Sequence, residues 1–351
     1  MTFSGLLAEA ASHLLHRDDL ARAGIGARKI TAMERSGELV RVRAGIFVPR
    51  AYWETAFPEA RHALAIHTAH QAARRPPVFS HRSAAVLHGL PAWSGSLNST
   101  AQDPLQVHTT VARGSDATST RVTRRHIAHL STDDVTQVGE FTATSADLTL
   151  ADLARSDSFA VALACADAHL HRNMGARHSS ATRGWGDWQD RFEQRSASMA
   201  GYSGVRAVRA LAELADPRAE SPLESLSRLR FLQLGLVPEL QVSVPARSGG
   251  HLYLDFALSE LGFWGECDGK SKYTSSELLR GSSPEEIVYA EKRRQEWIEG
   301  TTGLRCIRWG VSEVRTLERF AAHLRAHGVP VPGHPSELDT PATAQFLAAL
   351  P

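Results

Sequence analysis

Cysteine is scarce: the chain has three in 351 residues, Cys165, Cys267 and Cys306. An odd, widely separated set supports neither a disulfide framework nor a CxxC metal pattern, and it fits a reducing compartment. No run reaches the roughly 18 to 20 apolar residues of a membrane span, and the opening MTFSGLLAEAASHLLHRDDL acquires acids too early for a signal peptide. The expectation is a cytoplasmic protein with no membrane partner. Charge of one sign is also lacking. Lys and Arg number 39 against 38 Asp and Glu, a net of +1, so any nucleic-acid partner has to be met by local patches.

Several catalytic signatures are missing as well. There is no Walker-type glycine loop and no HExxH pair, and GYSG at 201–204 lacks the register of a nucleophile elbow. His62, His67 and His70 share a helix without an acid set and read as packing or surface groups. Trp93, Trp264 and Trp309 read as core residues.

What is present is ordinary globular composition, 42% hydrophobic and 22% charged, with length enough for two or three domains. Enrichment in Ala and Arg points to a high-GC bacterial genome. The expected fold class is multidomain α/β. Residues 1–55 form a winged helix-turn-helix, 56–215 an α/β middle domain, 216–330 an α/β/α domain and 331–351 a C-terminal tail.

The first of these expectations rests on apolar spacing. Leu6, Leu7, Ala10 and Leu14 mark a helix over 4–15, RDDLARAG a second helix ending at Gly24, and GARKITAMERSG a third closed by Gly37. ELVRVRAG and GIFVP then read as a hairpin about Ala44-Gly45. In such a fold the third helix is the reader, with Arg28, Lys29 and Thr31 near its start, and Arg41 and Arg43 lie on the wing. Eight basic residues stand against five acidic ones over residues 1–50, a local +3 by count, which suits phosphate contacts.

In the middle region a helix ends near Arg74, short β-type runs occur at LQVHTTVA and TRVTRRHIAHL, and FTATSADLTLADLARSDSFAVALACADAHL reads as a Thr-capped helical pair. MGARHSSATRGWGDW reads as a loop. DPRAESP, at 216–222, marks the boundary to the last domain. The N-terminal helices, GELVRVRAGIFVP and SHRSAAVLHGLP together resemble AbiEi-type antitoxins of type IV toxin/antitoxin systems. That resemblance covers about the first half of the chain and implies DNA as a partner, with a cognate toxin and a homodimer left open.

From Ser221 the pattern changes. SPLESLSRLRFLQLG places Ser221 as a helix N-cap, Pro222 at the first helical position and Glu224 three residues on, a capping box, with Leu223, Leu226, Leu229 and Leu232 spaced for burial. Three strand candidates follow, LVPELQVSV, HLYLDFAL and GFWGECDG. A turn at SELG pairs Leu258 with Phe263, which puts Asp255 opposite Glu266 and Asp268 on the diagonal. On this register Leu252, Leu254, Phe256, Leu258, Phe263 and Cys267 share one face, and Asp255, Glu266, Asp268 and Lys270 share the other. Converging carboxylates repel unless a cation sits between them, and oxygen ligands suit Mg²⁺ or Mn²⁺.

The order helix-Glu, strand-Asp, then acid-x-acid-x-Lys resembles the PD-(D/E)XK nuclease superfamily, in its branch related to very-short-patch repair endonucleases. The resemblance covers about 221–320 and extends to EKRRQEWIEGTTGLRCIRWGVSEV, similar to that branch's basic helix, strand and last helix. It implies a restriction-endonuclease-like domain that hydrolyses phosphodiesters in DNA with Mg²⁺ or Mn²⁺. Asp255 corresponds to the first motif acid and Glu224 to the acid on the preceding helix. Lys270 is the motif lysine if Asp268 is the second acid; if Glu266 is, Asp268 falls at the lysine's position. Leu254 stands where proline commonly precedes the first acid. Catalytic and metal-binding residues are therefore expected among Glu224, Asp255, Glu266 and Asp268, with Lys270 serving the water. Arg293 and Arg294 are candidate phosphate clamps, and Lys272 and Tyr273 candidate channel residues. The competing expectation is a DNA-binding regulator or antitoxin in which the acidic face is idle.

Overall fold

A computed structural model describes residues 3–92, 105–115, 118–174, 181–268, 284–335 and 340–351. It is mixed α/β and divides into two compact units, Met1–Cys165 and Ala166–Pro351. Among the described residues no helix is long and apolar enough to cross a membrane.

The first unit opens with α1 (Phe3–Ser12), β1 (Leu15–His16), α2 (Arg17–Arg22) and α3 (Ala27–Ser36), then the antiparallel pair β2 (Leu39–Arg43) and β3 (Ile46–Pro49). β1 adds to β3, giving a three-stranded sheet of order β1-β3-β2. Leu20, Ile30, Leu39 and Phe47 bury one another, with Leu15, Ile25 and Met33 packed around them. One buried residue from each of α2, α3, β2 and β3 thus joins these two helices to the sheet. The second and third helices and the hairpin stand where apolar spacing put them, while α1 ends at Ser12, short of the expected Leu14, and Leu15 enters β1, which at two residues carries no pattern a sequence could reveal.

α4 (Arg50–Thr55) and α5 (Pro58–Ala72) lead into β4 (Val78–Phe79), α6 (His81–Leu87), β5 (Val107–Val111), β6 (Thr123–Ile127), β7 (Val135–Val138), β8 (Phe141–Thr144), α7 (Ala146–Ser156) and α8 (Phe159–Met174). The five strands form a sheet of order β6-β5-β4-β8-β7, parallel at β5·β6 and β4·β8 and antiparallel at β4·β5 and β7·β8. Buried Arg82 holds this unit together: Nη2 donates to Asp157 Oδ1 at 2.7 Å and Nη1 to the Ala92 carbonyl at 2.7 Å. His62 and His67 are buried packing groups, hydrogen bonded to Ser83 Oγ at 2.8 Å and to the Leu7 carbonyl at 3.0 Å. The cap of α7 is Ser145, not a threonine. Its hydroxyl accepts from Leu148 N–H, while the Thr144 hydroxyl bonds to Thr149 at 2.7 Å.

The second unit takes in the end of α8, then α9 (Ala181–Ser198) and α10 (Val205–Leu214). The loop expected over 174–188 is helical from Ala181 onward; residues 175–180 lie outside the described set. Trp188 and Phe192 explain the difference. They sit one turn apart, stack at 4.7 Å between centroids and are fully buried. That burial outweighs the roughly 1 kcal/mol each that Gly184 and Gly186 cost a helix.

α11 (Pro222–Gln233) is buried from Leu223 to its end, polar residues included. Around it run β9 (Glu239–Pro245), β10 (His251–Leu258), β11 (Phe263–Cys267), α12 (Pro284–Thr302), β12 (Arg305–Trp309), α13 (Val311–Val314), α14 (Leu317–Ala326) and α15 (Pro341–Ala348). The sheet order is β12-β11-β10-β9, antiparallel except for β11·β12. Leu258 pairs with Phe263, the register read from the turn. α15 lies in the segment read as a tail. There Arg230 Nη1 donates to the Pro351 carbonyl at 2.7 Å, and Gln233 Nε2 to the Leu347 carbonyl at 3.3 Å.

The single apolar face expected for β10 is not observed. Leu254 packs with Ile298 of α12 and with Trp264, and Leu252 joins that cluster. Phe256 instead meets Phe231 of α11 and Trp309, each at 5.5 Å. The strand changes sides between Leu254 and Phe256. Opposite this point Gln241 has φ +50, a left-handed conformation rare outside glycine. Strict alternation predicted one face because it assumes an unbroken pleat. Gly265 has its own constraint: a Cβ there would overlap the Trp309 indole.

Asp167 is wholly buried, and burial raises its pKa against the pull of Arg228. Arg228 Nη2 lies 2.9 Å from Asp167 Oδ2, and Asp216 N–H donates to Asp167 Oδ1 at 2.8 Å. Removing one partner strands a charge. Arg228→Met should therefore lower unfolding free energy by about 3 to 5 kcal/mol, and Arg228→Met with Asp167→Leu should recover most of it. Urea unfolding of the three proteins checks this; an equal or larger loss in the double variant would show that the pair is not what matters there.

Candidate active site

Two elements deliver the central acids. The capping box at the start of α11 fixes Glu224: its Oε1 accepts from the Ser221 hydroxyl at 2.8 Å and its Oε2 from Glu220 N–H at 2.9 Å. The turn-over in β10 aims Asp255 toward the same point, where its Oδ2 accepts from Cys267 N–H at 3.2 Å. One ligand-type atom from each of Glu224, Asp255 and Cys267 lies within 4.8 Å of the other two. Glu224 is only 5% exposed. Burial first, and the Asp255 charge second, push its carboxyl up to about 7. Like charges held this way in a partly dry site gain from a cation.

Glu266 and Asp268 are not part of that group. Glu266 faces α12, where Arg294 Nη1 binds its Oε1 and Arg308 Nη2 lies 3.0 Å from its Oε2. Arg308 sits directly opposite Glu266 in the β11·β12 register, reaches Glu291 at 2.5 Å and approaches Asp268 at 3.8 Å. Burial pushes the Glu266 carboxyl up, and both arginines oppose it. The acidic face read from alternation is thus two sites: a carboxylate pair toward α11, and an arginine-neutralised ladder toward α12. The face change at Asp255 separates them.

Arg294, a candidate phosphate clamp, is committed to Glu266, Glu291 at 3.4 Å and the Tyr253 carbonyl at 3.2 Å. Arg293 is exposed, its guanidinium 5.9 Å from the Tyr289 ring centroid. Both line a cleft of about 530 Å³ with Arg247, Ser248 and Trp297. Lys270, Lys272, Tyr273 and Trp93 lie outside the described residues. Cys267, Arg308, Arg247 and Trp297 were not singled out from sequence. Arg308 was the most accessible of these, since RCIRW puts it two residues from Cys306 on a strand beside the acids.

In the first unit Arg28, Lys29 and Thr31 lie exposed on α3, with the Thr31 hydroxyl donating to the Ala27 carbonyl at 3.0 Å. Arg41 pairs with Glu34 of α3 at 2.6 Å, and Arg43 is half-buried. Of the two arginines expected on the hairpin, one is thus ion-paired and the other partly covered.

The sequence matches no protein-family model and no curated protein.

Because the Glu224 pKa is raised in the fold, the folded state holds its proton where the unfolded chain has lost it, and stability falls as pH rises from about 4.5 to 7. In EDTA, Glu224→Gln keeps the capping group and should remove up to about 3 kcal/mol of that fall. Urea midpoints at pH 5 and pH 8 measure it. Equal pH slopes for wild type and variant would mean Glu224 ionises freely.

Proposed function

We propose that the protein is a DNA-binding, metal-dependent endonuclease that hydrolyses phosphodiester bonds. The observation that carries this reading is the approach of Glu224, from the helix before the sheet, to Asp255, from a central strand. The order α11-β9-β10-β11-α12-β12, with β12 parallel to β11, supports a restriction-endonuclease-like domain. The three N-terminal helices followed by a hairpin support a winged helix-turn-helix.

Mg²⁺ or Mn²⁺ fits the donor chemistry at this pair. Mg²⁺ keeps several waters and is commonly held by one or two carboxylates with substrate phosphates, and Glu224 and Asp255 offer that number. The Cys267 thiol is a soft donor unsuited to Mg²⁺. When bound, such an ion polarises the scissile phosphate and acidifies a water. Glu224 is oriented by its two capping bonds and Asp255 by Cys267 N–H, so neither carboxylate has to reorganise to meet the ion. Arg247 and Arg293, beside Trp297, would receive the nucleic-acid backbone in their cleft. Arg28, Lys29 and Thr31 would contact phosphates and bases.

One observation favours a second reading, a DNA-binding regulator or antitoxin with an idle acidic site and a toxin partner. Glu266 and Asp268 are met by arginines and do not join the carboxylate pair. Cleavage assays separate the two. Wild type should cut supercoiled plasmid or single-stranded DNA with Mg²⁺ or Mn²⁺ and not in EDTA, and Asp255→Asn and Glu224→Gln should each lose at least about a hundredfold in rate. Wild type that binds DNA but cuts nothing with either metal would establish the regulator. Under either reading, Arg28→Ala with Lys29→Ala should weaken binding across sequences and lower the logarithmic salt slope by about 2.

A further inference from the structure

Three histidines that the proposed chemistry does not use meet inside the first unit. His108 on β5 and His126 on β6 are diagonal neighbours across the strand pair, two residues apart in register, and His81 stands at the β4–α6 junction. One ring nitrogen from each lies within 4.8 Å of those from the other two. We propose that His81, His108 and His126 form a binding site for a late first-row divalent cation of the Zn²⁺ class.

The distances suit an ion. Zn–N bonds of about 2.0 to 2.1 Å at a tetrahedral angle hold two nitrogens about 3.3 Å apart. His108 Nδ1 and His126 Nε2 are already 3.1 Å apart. Ligation through Nε2 would leave the His81 Nδ1 to the Ser80 hydroxyl, 3.0 Å away, and to Asp152 Oδ2 at 3.7 Å. A carboxylate behind a ligating imidazole is the usual arrangement for fixing tautomer and ring direction. The scaffold behind the cluster is equally specified: the buried Ser83 hydroxyl accepts from His108 N–H and bonds His62 Nε2, each at 2.8 Å.

One further feature points to a ligand: His81 has φ +52, a strained conformation for a non-glycine residue. Burial, then the neighbouring rings and Arg124, keep His108 down to about 3, and burial and Arg124 keep His126 down to about 4. Neutral imidazole is the ligating form, and it suits Zn²⁺, Cu²⁺ or Ni²⁺ better than Mg²⁺. His81 and His108 are buried and His126 only partly, leaving an approach past His126. The site is independent of the carboxylate pair.

The test is titration of metal-stripped full-length protein with Zn²⁺, followed by calorimetry, and with Co²⁺, followed by absorption. Expected are one tightly held ion per chain, beyond any weaker binding at the carboxylate pair, visible cobalt bands of a nitrogen-ligated site without a thiolate charge-transfer band, and a thermal midpoint that rises with Zn²⁺. His126→Gln, at the partly exposed position, and His108→Ala should each weaken binding at least tenfold, while His323→Ala and Asp255→Asn leave it intact. Circular dichroism of the metal-free variants shows that they fold. Unchanged affinity in folded His126→Gln, binding lost instead with Asp255→Asn, or no binding to wild type would each overturn the assignment.

Discussion

The C-terminal unit depends on burying a helix that carries charge. α11 is enclosed from Leu223 to Gln233, so Glu224, Arg228, Arg230 and Gln233 must all find partners inside the protein. Arg228 finds Asp167, Arg230 the carbonyls of Val314, Arg315 and Pro351, and Gln233 those of Leu347 and Leu350. An unpaired polar group in such a place costs several kcal/mol, so these partners specify which elements surround the helix. Glu224 differs from the others. Its capping bonds orient it, yet they do not bring its carboxyl back to the ordinary range, because it is buried and Asp255 stands nearby. A structural helix start has thereby become one wall of a charged site.

Much of this was legible in sequence because it is local. Ser221, Pro222 and Glu224 announce a capped helix, and SELG sets the β10·β11 register by turn length. Those signals put Glu224 at a helix start and Asp255 on a strand, and the nuclease resemblance joined the two as site acids. Alternation failed at Asp255 because it presumes an unbroken pleat, and Gln241, on the neighbouring strand, takes a left-handed φ that no local pattern signals. The partition of Asp255 from Glu266 is therefore a tertiary fact. So is the ladder of Glu266, Arg294, Arg308 and Glu291, which draws on β11, α12 and β12.

The histidine cluster was illegible for a different reason. His81, His108 and His126 are separated by 27 and 18 residues, and none shows ligand spacing with another. Sheet pairing β5·β6 and the left-handed φ of His81 at the start of α6 bring them together. The helix over Ala181–Ser198 shows the converse, where glycine content suggested a loop but two buried aromatic side chains one turn apart decide the structure.

The central claim is that Glu224 and Asp255 hold a divalent cation. Crystals grown with Mn²⁺ and measured for anomalous scattering would test it most directly. The account predicts a peak within coordination distance of both carboxylates, absent in crystals of Asp255→Asn. A Mn²⁺-loaded crystal with no peak there, and with Glu224 keeping only its capping bonds, would contradict it and leave the acid pair a purely structural feature.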